Sequence, residues 1–478
     1  MANITFYWHD YETFGADPAR DRPSQFAGIR TDENFNIIGE PLVIFCKPAA
    51  DVLPHPEACL ITGITPQQAR EHGVCEAEFI RQIHAELAQP GTCAAGYNSI
   101  RFDDEVSRYT LYRNFYDPYA REWQNGNSRW DIIDMVRVCC ALRPEGINWP
   151  QHEDGTPSFK LEHLTQANGI SHEAAHDALS DVHATIALAR LIKQKQPKLF
   201  DYVFKLRNKR EVATLLDVAE KKPVLHTSAM FPASRFCTTL VMPLVMHPTN
   251  KNGVIVYDLR VDPEPLLTLT AEQIAERLYT PAAELAEGVE RIPLKTIHIN
   301  RCPVVATSQL LDEKVADRIQ LDLPLARKHY KQLKMAQNLS VKLADVFGRQ
   351  DFPERTDPDV MLYSGGFFSQ NDKNTMAQIR SDSPESLRDS NYFFEDGRLA
   401  EMLFRYRARN YPDYLTPDEQ LQWQEHCFQR LTDPDGGGSI AMEGFLELVH
   451  QLLAAETVTE HDQAILEKLL DYSDELLA

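Results

Sequence analysis

The stretch that decides the fold is ITFYWHDYETF, residues 4–14. Its aromatic and β-branched residues are typical of a β-strand, and the apolar residues around Asp10 and Glu12 predict a central strand. Side chains alternate along a strand, so Asp10 and Glu12 point to the same face. Two adjacent carboxylates repel unless a cation lies between them, and hard oxygen ligands suit Mg²⁺ or Mn²⁺. The pair therefore predicts a metal site, with a solvated strand face as the alternative.

A second acidic segment follows a short strand candidate. It reads GYNSIRFDDE, residues 96–105, and it places Asp103 at the expected start of a helix. The functional interpretation makes Asp103 a third carboxylate of the metal site, and Asp104 is its competitor. The alternative is an acid-rich first turn that is stabilised by the helix dipole.

A third segment combines a histidine with an aspartate. In AHDALSDVHA, residues 175–184, His176 stands five residues before Asp181. The apolar spacing of residues 173–194 predicts an amphipathic helix, so a half-exposed surface histidine is one interpretation. Another takes His176 and Asp177 as the His-Asp pair of metal phosphohydrolases, which needs further histidine ligands that the sequence does not place.

The pattern of elements predicts three domains. Residues 1–195 read as α/β, with two strands in 25–46 that are joined by a turn. A linker, residues 193–204, leads into the second domain, residues 197–350. Its short apolar runs separated by turns favour a small β-rich domain before the chain becomes helical. Residues 353–478 carry apolar positions at helical spacing.

Composition sets limits on the function. The chain has 478 residues, 43% of them hydrophobic, which is ordinary for a soluble globular protein of about three domains. No apolar run approaches the ~20 residues of a membrane helix, and no secretory signal is recognised at the N-terminus. The nine cysteines include no C-x-x-C spacing. These features predict a reduced, cytoplasmic protein without a zinc cluster or a membrane partner.

The charge is unevenly distributed. The net charge of −21 argues against a nucleic-acid partner, but residues 201–350 carry +4 while residues 351–478 carry −16. Salt screens charge over ~8–10 Å, so local charge matters more than the total. The positive region predicts either a surface for a polyanion or solvated helix faces.

Taken together, the three acidic segments resemble the histidine subclass of the DEDD exonuclease superfamily, which has a DnaQ-like, ribonuclease-H-like fold. The resemblance implies two Mg²⁺ ions, for which Mn²⁺ can substitute. It implies that Asp10, Glu12 and Asp181 hold one ion and that Asp10 and Asp103 hold the second. His176 would accept a proton from the attacking water, and cleavage would release nucleoside 5′-monophosphates.

The rest of the chain resembles the bacterial exodeoxyribonuclease I family. The phrases that carry this resemblance include YRNFYDPYAREW (112–123), LRPEGINWP (142–150), FDYVFKLRNK (200–209) and RARNYP (407–412). The resemblance implies an exonuclease domain, an SH3-like β-rich domain and a helical C-terminal domain in a monomer. It also implies processive 3′→5′ degradation of single-stranded DNA in DNA repair and recombination.

Substrate and partner contacts are expected from the same resemblance. A basic groove with stacking aromatics is the usual way to bind single strands, although aromatics at this density also form cores. The candidates for DNA contact are Glu12, Arg108, Tyr119, Trp123, Arg137 and Lys160. The family also binds the acidic C-terminal tail of single-stranded DNA-binding protein, for which Arg143 and Tyr202 are candidates.

Other interpretations stay open at this point. Four carboxylates and a histidine do not distinguish ribose from deoxyribose in the substrate, so a 3′→5′ exoribonuclease is one alternative. A non-catalytic single-strand-binding scaffold is another, but the presence of all five catalytic positions disfavours it. The segment DPDGGGSIAMEG, residues 433–444, resembles a calcium loop, but it places Gly444 where a bidentate glutamate is required.

Overall fold

A computed structural model describes residues 4–172, 177–349 and 355–477. Within these residues the chain forms two compact units. Unit 1 comprises residues 1–128, 172–186 and 354–478, and unit 2 comprises residues 129–171 and 187–353.

The helices and strands follow in chain order. Up to residue 131 they are β1 (Thr5–Thr13), β2 (Pro23–Thr31), β3 (Leu42–Phe45), α1 (Pro56–Thr62), α2 (Pro66–His72), α3 (Glu76–Leu87), β4 (Thr92–Gly96), α4 (Asp103–Arg113) and β5 (Ser128–Asp131). Up to residue 268 they are α5 (Ile133–Leu142), α6 (Leu161–Ala167), α7 (Ala178–Lys195), α8 (Pro197–Lys205), α9 (Lys209–Leu215), β6 (Val224–Thr227), β7 (Thr238–Met246), β8 (Gly253–Asp258) and α10 (Glu264–Thr268). The remainder are α11 (Ala271–Tyr279), β9 (Leu294–His298), β10 (Val304–Thr307), α12 (Glu313–Arg318), α13 (Leu323–Met335), α14 (Leu339–Gly348), α15 (Gln370–Ser381), α16 (Pro384–Asp389), α17 (Arg398–Asn410), α18 (Pro417–Thr432), α19 (Met442–Leu453) and α20 (Glu460–Leu477).

The strand that was predicted from residues 4–14 is central in its sheet. In unit 1 the strands lie in the order β3-β2-β1-β4, so β1 has a hydrogen-bonded neighbour on each side. It pairs antiparallel with β2, which places Glu12 opposite Gln25, and parallel with β4. Trp8 and Phe26 are fully buried, as expected for the aromatic residues of an interior strand. The prediction of a central strand is confirmed.

Helices from both ends of the chain pack together in unit 1. Phe79 and Ile83 of α3 pack with aromatic residues of β1 and β2. In a separate core, Phe14 and Leu53 from the N-terminal part pack with Phe445 of α19, together with residues of α20. Burying such large apolar side chains stabilises the folded state by roughly 1.5–3 kcal/mol each. The C-terminal helices therefore share a core with the segment that follows β1.

Unit 2 contains the second sheet. Its strands lie in the order β10-β6-β7-β8-β9, and every neighbouring pair is antiparallel. Helix α9 covers this sheet through Val212 and Leu216, which share a core with Val241, Val256 and Val305. The β-rich prediction is confirmed, and with the helical C-terminal part it bears out the predicted fold class.

One predicted linker was wrong. Residues 193–204 end α7 and form most of α8. Phe200 and Val203 of α8 are buried, and Phe200 stacks edge-on against Trp130 with a centroid distance of 5.3 Å. Pro197 at the first turn of α8 starts a helix here, because its missing N–H is not needed there.

Two expectations from composition can be compared with the structure. All nine cysteines are free thiols, in agreement with the expectation of a reduced protein. In the described part of the chain, the model contains no helix with the length and apolar character needed to span a bilayer.

Candidate active site

Three of the predicted carboxylates meet on one side of β1. Ligand oxygens of Asp10, Glu12 and Asp181 all lie within 4.8 Å of one another. Asp10 and Glu12 come from the same face of β1, and Asp181 comes from the first turn of α7. Among the described residues this is the one such group of three or more potential metal ligands, so the 433–444 loop does not assemble a second.

Two hydrogen bonds fix the start of α7. The Asp177 carboxylate accepts a hydrogen bond from the backbone N–H of Ser180 at 3.1 Å, which satisfies a free N–H of the first turn. The backbone N–H of Ala178 donates to the Gln25 side chain at 3.4 Å. Since Gln25 is the partner of Glu12 in β2, the contact holds the N-terminus of α7 beside the metal-site strand.

The structure separates Asp103 from Asp104. The Asp103 carboxylate accepts a hydrogen bond from the backbone N–H of Tyr11 at 3.0 Å, between the two acidic residues of β1. Asp104 instead pairs with Arg121 at 2.7 Å, and both of these side chains are buried. The geometry therefore directs Asp103 toward the acidic group and Asp104 into a buried ion pair.

The electrostatics of the group are unfavourable without a cation. Burial raises the pKa of Asp10 well above its usual range, and the neighbouring carboxylates Asp103, Glu12 and Asp181 raise it further. Burial, followed by the charges of Asp181 and Asp103, raises the pKa of Glu12 to about 8. A divalent cation bound here would reverse this repulsion, because it favours the charged form of each carboxylate.

His176 lies outside the described residues, but a second histidine contacts the site. The Nε2 atom of His172 lies 2.5 Å from Oδ1 of Asp181, and the His172 side chain is buried. Sequence reasoning missed this residue, because His172 stands outside the motif spacing that singled out His176. A histidine that holds a ligating carboxylate fixes its orientation.

Among the DNA-contact candidates of unit 1, Arg108 is held in ion pairs, whereas Tyr119 and Trp123 line a cavity. Arg108 is buried and bonds Glu105 at 2.8 Å and Glu122 at 2.7 Å. Its guanidinium also lies over the Tyr119 ring, 5.4 Å from the centroid. Trp123 is 65% exposed, so its ring is accessible for stacking. Tyr119 and Trp123 line a cavity of about 510 Å³.

The candidates of unit 2 have different surroundings. Lys160 is exposed and lies 3.8 Å from Glu162. Arg137 is largely buried, bonded to Asp134 at 2.6 Å and placed over the Phe159 ring.

The two candidates for partner binding also lie in unit 2. The Arg143 guanidinium donates to the carbonyl of Leu142 at 2.5 Å, and the Tyr202 hydroxyl donates to that of Val305 at 3.1 Å. Both side chains are partly exposed, and the roles of all four unit 2 candidates stay predictions.

The fold and the acidic group define a class of enzyme. A family model described as "Exonuclease" matches residues 7–189, which include all five predicted catalytic positions. The models "Exonuclease I SH3-like domain" and "Exonuclease I C-terminal domain" match residues 207–349 and 356–476. The protein is thus an exonuclease with two further domains.

Full-length relatives identify the family. The exodeoxyribonuclease I of Escherichia coli is 47% identical over 99% of this chain and 98% of its own length. That of Haemophilus influenzae is 46% identical over the full length of both chains. The chain belongs to the exodeoxyribonuclease I family.

Solved structures agree with this assignment. Exonuclease I from Methylocaldum szegediense is 53% identical, with a TM-score of 0.96 over 99% of this chain and 100% of the other. E. coli exonuclease I in complex with a dA16 oligonucleotide is 47% identical, with a TM-score of 0.95 over the same shares. A zinc-bound complex of E. coli exonuclease I with single-stranded DNA is 47% identical, with a TM-score of 0.94. A further E. coli structure, described as SSB/exonuclease I with an inhibitor, is 46% identical, with a TM-score of 0.91. In both cases the match covers 99% of this chain and 100% of the other.

Proposed function

We propose that the protein degrades single-stranded DNA processively from the 3′ end and releases nucleoside 5′-monophosphates. The observation that carries this proposal is the group formed by Asp10, Glu12 and Asp181, in a chain of the exodeoxyribonuclease I family. The E. coli relative was crystallised with single-stranded oligodeoxynucleotides, which supports DNA as the substrate.

The acidic group fits two divalent cations, Mg²⁺ in the cell, with Mn²⁺ as a substitute. All of its ligand atoms are carboxylate oxygens, which Mg²⁺ prefers. The pKa values of Asp10 and Glu12 are raised by burial and by repulsion between the carboxylates, and a bound cation would relieve this repulsion. Asp10, Glu12 and Asp181 would hold one ion, and Asp10 and Asp103 would hold the other. When bound, such a pair stabilises the attacking and leaving oxygens of an in-line displacement at phosphorus.

The protein side chains supply the remaining steps. His176 accepts the proton of the attacking water, because an imidazole can gain a proton near neutral pH. Glu12 also faces the terminal nucleotide. The water oxygen forms a bond to phosphorus while the bond between phosphorus and the 3′-oxygen of the preceding nucleotide breaks. That oxygen takes a proton from solvent water, which leaves a new 3′-hydroxyl for the next cycle.

We further propose that residues 1–195, 197–350 and 353–478 act as exonuclease, SH3-like and C-terminal domains. Tyr119, Trp123, Arg137 and Lys160 bind the strand directly, and Arg108 binds it through Tyr119. The exposed Trp123 ring supports stacking with a base, and the exposed Lys160 supports contact with a phosphate. Arg108 acts through its contact with Tyr119, since its guanidinium already bonds two carboxylates.

The proposed partner is the acidic C-terminal tail of single-stranded DNA-binding protein, held by Arg143 and Tyr202. A structure of the E. coli relative is described as SSB/exonuclease I in complex with an inhibitor, which supports single-stranded DNA-binding protein as the partner. We assign the protein to the cytoplasm, as a monomer that acts in DNA repair and recombination.

The experiment that tests the function is a gel assay with 5′-labelled oligonucleotides. Single-stranded DNA, duplex DNA and RNA are incubated separately, each with Mg²⁺ or with EDTA. The proposal expects Mg²⁺-dependent shortening of single-stranded DNA alone. Preferred shortening of RNA would keep the catalytic site but overturn the substrate, and binding without cleavage would favour a scaffold.

A further inference from the structure

Arg22 is a buried arginine whose guanidinium has no hydrogen-bond partner among the described residues. The residue is 2% exposed, and Nε, Nη1 and Nη2 all lack an acceptor. Its two nearest carboxylates, Asp51 and Glu76, are each 3.9 Å away, which is too far for a hydrogen bond. An arginine presents five N–H donors, and leaving them unsatisfied in the interior is costly.

Both neighbouring carboxylates are already engaged by other residues. Asp51 accepts from Arg409 at 2.7 Å and lies 3.5 Å from Arg430. Glu76 accepts from Arg113 at 3.0 Å and from Asn114 at 2.8 Å. The short contacts of both carboxylates are thus made to other residues, and neither carboxylate hydrogen-bonds the guanidinium of Arg22.

The surroundings of Arg22 carry an excess of buried positive charge. In the described part of the chain, the connected network contains five arginines and four carboxylates that are buried or mostly buried: Arg22, Arg113, Arg405, Arg409 and Arg430, with Asp51, Glu76, Asp357 and Asp359. A fifth carboxylate, Glu401, pairs with Arg405 but is 53% exposed, so water screens its charge. Burial lowers the pKa of Arg22 to about 9, and Arg113 and Arg409 lower it further.

A small cavity lies against Arg22. Its volume is about 10 Å³, which is room for one water-sized species. Arg22 is the one charged residue of its lining, and the others are apolar: Phe14, Pro48, Ala49, Val52, Leu53 and Pro54. Among the side chains of this lining only the Arg22 guanidinium is polar, and it offers hydrogen-bond donors alone.

We propose that this cavity binds one small monovalent anion, which is chloride in the cell. An anion only accepts hydrogen bonds, so it matches a site that offers donors, and its charge neutralises the excess of arginine. The volume excludes sulfate and phosphate, so the site is separate from recognition of the DNA backbone. Because Phe14 N–H bonds the Arg22 carbonyl at 2.9 Å, a bound anion would stabilise the loop that joins β1 to β2.

The first test measures thermal unfolding of the full-length protein in EDTA. Potassium chloride is exchanged for potassium gluconate at constant ionic strength, so screening does not change. Above the dissociation constant, each tenfold rise in chloride should raise the unfolding midpoint by a similar increment. Two variants should abolish the chloride dependence: Arg22→Gln, which removes the donors, and Val52→Ile, which fills the cavity and keeps every charge. Arg81→Gln, at a surface arginine that is 60% exposed, should retain it.

The second test does not depend on any variant being folded. Crystals of the wild-type protein are grown in sodium bromide, and an anomalous peak is expected beside the Arg22 guanidinium. Density there without an anomalous signal would identify a water and overturn the proposal. An unfolding midpoint that responds equally to chloride and gluconate would overturn it too.

Discussion

The carboxylate of Asp103 accepts a hydrogen bond from the backbone N–H of Tyr11, the residue between Asp10 and Glu12, at 3.0 Å. The first residue of α4 is thus tied to the strand that carries the other acidic side chains. The neighbouring Asp104 points to Arg121 instead. Asp103 is therefore directed to the acidic group, whereas Asp104 neutralises a buried arginine, so substitutions at the two positions should have different effects.

Asp103→Asn should remove activity and leave stability almost unchanged. The amide oxygen can still accept from Tyr11, but the negative charge toward a metal ion is lost. We expect the cleavage rate to fall by about 10³-fold, the equivalent of ~4 kcal/mol of transition-state stabilisation. Gel assays on single-stranded DNA and urea unfolding measure the two effects.

Asp104→Asn should lower stability and leave activity almost unchanged. It leaves Arg121 charged and buried without its counterion, a change that costs ~3–5 kcal/mol in proteins. The cleavage rate at a temperature where the variant is folded should stay within a few-fold of wild type. Equal loss of activity in the two variants would contradict the assignment of Asp103 alone to the site.

Asp181→Ala should abolish cleavage and leave binding to single-stranded DNA largely intact. The substitution removes one of three ligand groups that lie within 4.8 Å of one another, whereas the proposed strand contacts come from other residues. Fluorescence anisotropy with a labelled oligonucleotide measures binding, and the gel assay measures cleavage. A variant with wild-type activity would show that the metal site is assigned wrongly.

His172→Ala should weaken the site without destroying it. The His172 ring holds the Asp181 carboxylate at 2.5 Å, and loss of such an outer partner typically costs about 10–100-fold in metal affinity or activity. Raising the Mg²⁺ concentration should therefore restore part of the rate. His176→Ala serves as the comparison, because loss of a proton acceptor is not recovered by added metal. Identical behaviour of the two variants would argue against a positioning role for His172.

The stability of the metal-free protein should fall as the pH rises. Glu12 has a pKa raised to about 8, so between its ordinary value of about 4.3 and about 8 the folded state binds more protons than the unfolded state. Its stabilising protonation is thus present at low pH and lost as the pH passes through about 8. Metal ions bind the deprotonated carboxylates, so the rise in Tm on adding Mg²⁺ should grow over the same interval.

Thermal unfolding in EDTA and in Mg²⁺ at several pH values between about 5.5 and 8.5 checks this expectation. Glu12→Gln cannot titrate, so it should flatten the pH dependence that comes from this residue. A Mg²⁺ effect on Tm that is constant with pH would contradict it.

The local elements could be predicted from the sequence, because their signals are local. Strand β1, helix α3 and the turn at Asp32 follow from periodicity and turn chemistry. The placement of Asp10 and Glu12 on one face required only the two-residue period of a strand.

Features that depend on distant residues could not be predicted. Arg108 was expected to face DNA from its aromatic neighbours, but its two carboxylate partners became visible only in the folded chain. The pairing of Arg409 with Asp51 joins residues 358 positions apart, and no sequence period reports such a contact. His172 was missed for a similar reason, since no sequence period relates it to Asp181, nine positions later.

Unit 1 is built from segments that are far apart in the sequence, so its parts are synthesised at different times. The acidic strand β1 leaves the ribosome early, but residues 354–478, which share its unit, are translated last. At a translation rate of about 5–20 residues per second, roughly 10–45 s pass between residue 128 and residue 354. A nascent chain therefore carries its catalytic residues well before it can complete the unit that holds them. Nuclease activity should therefore appear only after residues 354–478 have been synthesised.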